Sequence, residues 1–180
     1  MKKQIIGTLV AGIIIFFWQF VSWTFSGVHT TEMQYTAKQD AIMETLAAQG
    51  LEDGTYYIPQ APPGSTAEEH QKLMEDAMGK PWAVVTYRKA YNASMGMNMS
   101  RGMAVDLLAA FLLIWLLMKI PGLDFKTCIQ GAFAVGAIGY LTIPYLDAIW
   151  FETNSMGYLI DLVVQWGLVG AWLGFWLPRK

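Results

Sequence analysis

Residues 5–26 read IIGTLVAGIIIFFWQFVSWTFS. No charged side chain interrupts the run, and its length suits a helix crossing a hydrocarbon core of about 30 Å, which takes roughly 20 residues. Three further stretches have the same character, at 102–120, 125–150 and 156–177. The second is halted by Pro121-Gly122, a pair that ends a helix by removing a backbone donor and supplying a flexible turn. Between the first and second apolar stretches lies a polar segment, 28–101, that carries most of the charge. The expected fold is therefore an α-helical integral membrane protein. It is a four-helix transmembrane bundle (5–26, 102–120, 125–150, 156–177) with a small α/β extracytoplasmic insert between helices 1 and 2.

The composition agrees. Of 180 residues, 54% are hydrophobic and 14% charged, against about 25% charged in a soluble domain. So apolar a chain would aggregate if it were disordered. A formal charge of −2 provides no broad basic surface, so nucleic acid is not an expected partner. The single cysteine, Cys128, excludes an internal disulfide and any cysteine-rich metal centre.

Lysines and arginines beside apolar spans set orientation. Lys2 and Lys3 precede the first span, Lys119 and Lys126 flank the turn between the second and third, and Arg179 and Lys180 follow the fourth. These groups share one side if both termini are cytoplasmic, which leaves 28–101 extracytoplasmic. Arg88, Lys89 and Arg101 fall on the outer side. The first span has the basic start of a signal peptide, but its apolar run far exceeds the usual 7–15 residues and no A-x-A site follows, so a retained signal anchor is expected.

Within the insert, helical spacing over 36–49 is closed by Gly50, and 54–58 reads as a short strand stopped by Pro59. Ser65-Thr66-Ala67-Glu68 matches a capping box opening a helix to Met78, and 82–91 reads as a second strand. Trp82, Tyr56, Tyr57, Tyr87 and Tyr91 are its expected anchors, either as a small core or as a patch that docks another protein.

Three aspartates fall inside the spans. Asp106, Asp147 and Asp161 each lie about one turn from the outer end of a different apolar stretch. Charges in spans are costly and normally face the bundle interior. Gln165 follows Asp161 by one turn; Tyr140, Pro144 and Asp147 share helical spacing; Gln19, Ser22 and Ser26 form a stripe on the first span. Arg101 is the expected charge partner of Asp106, with His29 a second. Such a cluster is either structural glue between helices, a site for a proton or a hard cation, or a site for a polar ligand.

Other motifs are weaker. Met95, Met97 and Met99 alternate and could hold copper(I) through soft thioethers, although methionine is also a generic packing residue. Gly170 and Gly174 form a GxxxG with Gly167 nearby, and Gly136 and Gly139 lie in the third span; such residues let helices approach closely, within the chain or against a partner. No phosphate-binding loop, H-E-x-x-H or G-x-S-x-G motif is present.

Residues 12–23 (GIIIFFWQFVSW), His29, 54–59 (GTYYIP) and the run from Asp161 through Trp166-Gly167-Leu168 to Gly170 together resemble a group of bacterial inner-membrane proteins with four spans and an outer insert. That resemblance implies the topology and a bacterial origin, and lends no catalytic residue. The function expected first is a non-catalytic accessory, assembly or scaffolding subunit, with the lipid bilayer and a membrane-protein partner or second copy as partners and no cofactor. A small transporter or ion-responsive protein using the carboxylate cluster comes second, and a membrane enzyme acting on a lipid or quinone third.

Overall fold

The computed structural model of the protein describes residues 2–179. The chain divides into two compact units, one formed by Met1–Gln34 with Ala93–Lys180 and the other by Tyr35–Asn92.

The first unit is helical. It comprises α1 (Lys2–Thr24), α4 (Met95–Leu117), α5 (Phe125–Thr142), α6 (Pro144–Phe151), α7 (Met156–Asp161), a π-helical turn (Leu162–Trp166) and α8 (Gly167–Trp176). Taken as continuous rods, Lys2–Thr24, Met95–Leu117, Phe125–Phe151 and Met156–Trp176 are four helices long and apolar enough to cross a membrane. The second rod begins at Met95, seven residues before the expected 102, because Ser94 caps it by accepting from the Met97 amide.

Helix α1 packs on α4 and α8, and α5 packs on α8. Ala11, Ile15, Ala110, Leu113, Ile114, Leu117, Cys128, Ala132, Val169 and Leu173 form the buried core. Much of the other apolar surface is exposed, including Ile13, Phe17, Leu108 and Leu112, as suits helices whose outer faces meet an apolar solvent. Small residues set the spacing. A Cβ at Gly170 would stand 2.9 Å from the Ile129 Cα, and one at Gly174 2.9 Å from the Phe125 carbonyl oxygen. The GxxxG face is thus occupied by α5 of the same chain.

Two of the rods are irregular. The third bends at Ile143-Pro144, where proline starts α6 and the backbone between α5 and α6 leaves helical geometry. The fourth widens into the π turn directly after Asp161, a feature often found at functional sites.

The second unit contains α2 (Gln39–Ala48), β1 (Gly54–Ile58), α3 (Ala67–Ala77) and β2 (Ala83–Tyr87). The strands pair antiparallel with Gly54 opposite Tyr87 and Ile58 opposite Ala83. Tyr57 packs on Trp82 at 5.5 Å between ring centroids, and Lys89 bonds Glu52 and Asp53 beside the strand ends. The capping box sits one residue later than the sequence suggested: Thr66 caps and Glu69 reciprocates. The Ser65 hydroxyl instead donates to the Pro62 carbonyl in the preceding turn. Neither α2 nor α3 buries a residue.

Two outcomes follow. Gly174→Leu forces α8 off α5 and lowers unfolding stability in detergent by roughly 1–3 kcal/mol, whereas Gly139→Ala, with nothing near its Cβ, stays within about 0.5 kcal/mol of wild type. Asp124 caps α5 by accepting from the Thr127 amide at 2.7 Å, and its bonds to Thr127 hold the carboxyl below its ordinary pKa. A depressed carboxyl stabilises the fold above the unfolded value of about 4 and ceases to do so as pH falls through the folded value. Asp124→Ala should therefore melt below wild type at neutral pH, with the gap closing on acidification below about pH 4.

Candidate functional site

The polar side chains near the C-terminal end of α1 converge on Asp161. Trp18 and Ser22 are one turn apart on α1, so they share a face. The Trp18 Nε1–H donates to Asp161 Oδ1 at 2.9 Å and the Ser22 hydroxyl donates to the same oxygen at 2.5 Å. After α1 the chain turns back, and His29 places Nε2 3.0 Å from Asp161 Oδ2 and 3.1 Å from Ser22 Oγ. Its Nδ1 lies 2.6 Å from Glu32 Oε2.

His29 is 5% exposed, Glu32 8% and Asp161 15%. The imidazole is fixed on its faces as well as its edges. Trp23 stacks on it at 3.9 Å and 3°, and Tyr158 meets it edge-on at 5.2 Å. Gly157 is required here, since a Cβ would press within 2.7 Å of His29 Nδ1 and into the Glu32 carboxylate.

Both ring nitrogens of His29 thus face carboxylate oxygens. Glu32 Oε1 is buried with no hydrogen-bond partner among the described residues. Buried polar atoms of that kind are few in folded proteins and call for an explanation.

Beside the network lies a cavity of about 250 Å³, partly open. Its wall includes Gln19, Trp23, Gly136, Gly139, Tyr140, Pro144, Tyr158, Asp161, Gln165 and Trp166. Pro144, at the break between α5 and α6, and Asp161, Leu162, Gln165 and Trp166, in and beside the π turn, all belong to the wall. The Trp166 indole sits against Gly136, where a Cβ would collide with it. Tyr140 is held by a 3.1 Å bond with Ser155.

The structure thus brings Asp161, Gln165, Gln19 and Tyr140 around one space and leaves other expected members outside it. Asp106 is buried at 4% exposure and takes one bond, from Gln19 Nε2 at 3.2 Å; its Oδ2 has no partner among the described residues. Gln19 therefore links Asp106 to the cavity wall. Arg101 is exposed and forms no ion pair with Asp106 among the described residues. Asp147 is exposed in the first turn of α6, where a negative charge complements the helix dipole.

The methionines occupy the first turn of α4, where helical geometry sends Met97 away from the face shared by Met95 and Met99. No group of three or more His, Cys, Asp or Glu among the described residues is arranged to hold a metal ion. Gly139 lines the cavity, while Gly167 lies 3.4 Å, measured from a built Cβ, from the Phe133 ring.

Sequence reasoning missed Glu32 and Trp18. Glu32 was one of many acids in the polar segment, and its i,i+3 spacing from His29 at the end of a span was the available signal. Trp18 resembles an interfacial aromatic until its N–H is seen to have a buried acceptor. No protein-family model, curated protein or solved structure matches this chain.

Asp161→Ala removes the acceptor of three donors, each costing roughly 1–3 kcal/mol if left buried and unpaired. It should destabilise the protein by several kcal/mol in detergent unfolding, whereas Asp147→Ala changes stability by no more than about 0.5 kcal/mol.

Proposed function

We propose that the protein is a multi-pass protein of a bacterial inner membrane that binds a small polar or ionic ligand, as a small transporter or an ion-responsive protein. In this reading both termini are cytoplasmic and residues 28–101 are extracytoplasmic, as the flanking lysines and arginines favour. The ligand site is then in the outer half of the bilayer. One observation carries the reading: a carboxylate held by three donors from α1 and its following turn forms part of the wall of an open cavity. Structural glue needs no adjoining space. An intramembrane acid on a cavity wall is the arrangement expected of a substrate or ion path.

A second reading, an accessory or assembly subunit without catalysis, is favoured by α2 and α3, which bury no residue and leave Ile42 and Met43 exposed. Small units with so little buried surface are marginal alone and gain stability from a partner.

The experiment compares wild type with Asp161→Asn and Asp106→Asn after purification in mild detergent. Thermal stability is measured against a panel of inorganic cations, organic cations and polar neutral solutes, and flux of the same solutes is measured in proteoliposomes. A solute-dependent shift or flux lost in Asp161→Asn supports the ligand reading. Identical behaviour of all three proteins toward every solute rejects it, and a stoichiometric partner copurifying under those conditions would favour the accessory reading instead.

A further inference from the structure

The cavity wall has a distinctive chemical composition. Four aromatic side chains line it, Trp23, Tyr140, Tyr158 and Trp166, together with one carboxylate, Asp161. No lysine, arginine or histidine is among the lining residues. We infer that the cavity takes a small organic cation, an alkylammonium of few carbons, seated against these rings and neutralised by Asp161. This rests on the reading of the cavity as a ligand site and names the class of ligand.

The alternatives fit less well. An anion would meet the Asp161 carboxylate with no lysine, arginine or histidine in the wall to offset it. A hard metal ion requires six or more oxygen ligands for calcium, or a near-octahedral set for magnesium. Asp161 is poorly available for that role, because Oδ1 already accepts from Trp18 and Ser22 and Oδ2 faces His29.

The same three bonds suit an organic cation. They hold the carboxylate in one position at the wall, and an alkylammonium is attracted to it without displacing any donor. Its alkyl groups replace water against aromatic rings, whose quadrupoles favour positive charge. Gln19 and Gln165 supply amide oxygens for an N–H or hydroxyl on the ligand. Size agrees too: about 250 Å³ lies below the roughly 300–1,000 Å³ of pockets for drug-sized molecules.

The test uses the full chain in detergent, with intrinsic tryptophan fluorescence as the readout, since Trp23 and Trp166 are in the wall. Choline chloride is titrated beside 3,3-dimethylbutan-1-ol, its uncharged carbon isostere, with sodium chloride at matched ionic strength. Choline should give a saturable change at least tenfold tighter than the isostere. Asp161→Asn should weaken choline at least tenfold, and Tyr140→Leu, which removes a ring from the wall, at least fivefold. Tyr140→Leu keeps the test decisive if Asp161→Asn fails to fold. Equal binding of choline and its isostere overturns the proposal, as does retention of full choline affinity by Tyr140→Leu. If choline gives no signal while inorganic cations or neutral solutes still act through Asp161, the organic-cation proposal falls and the ligand reading stands. If no solute acts through Asp161, both fall.

Discussion

Asp161 accepts from Trp18, Ser22 and His29, and all three donors belong to α1 or to the turn that follows it. A single carboxylate on the last apolar rod thereby fixes the rotation of the first. Turning α1 by one residue would swing Trp18 and Ser22 off the shared face and leave the acid and two donors without these partners, at roughly 1–3 kcal/mol for each group that water does not reach. The contact of α1 with α4 discriminates as well, because a Cβ at Gly12 would stand 3.1 Å from the Leu107 Cα. Polar pairing and this close approach together set the register, and apolar packing supplies the adhesion.

The rest of the site depends on that anchoring. With α1 fixed, the return turn sets His29 beneath Trp23, and Gly157 leaves room for the imidazole and Glu32 to lie against α7. The π turn after Asp161 and the break at Pro144 both fall at the cavity wall beside the network.

Legibility in the sequence was uneven in an instructive way. The four apolar rods were plain because length and polarity alone identify them, and the insert shows the expected order of helix, strand, helix, strand. That Asp161 lies near Gln165, and Gln19 near Ser22, followed from helical spacing. The choice between Asp106, Asp147 and Asp161 was not available, since a position one turn from a helix end is the same description for all three. Pro144 was visible as a residue, yet a proline near the end of an apolar run either continues a bent rod or opens a space, according to what packs beside it. Ser65 and Thr66 each have an acidic residue three positions on, and only the structure shows that Thr66 is the cap.

What the sequence alone determined is the inventory: four rods suited to an apolar solvent, one polar insert, and a few ionisable groups that such rods do not tolerate idly. These follow from solvation, which acts residue by residue and needs no partner. Only the tertiary structure decided which acid is held by three donors, which has an oxygen without a partner among the described residues, and which lies exposed in the first turn of a helix. Hydrogen bonds between positions more than a hundred residues apart depend on the rotation and offset of whole helices, and no local pattern encodes those.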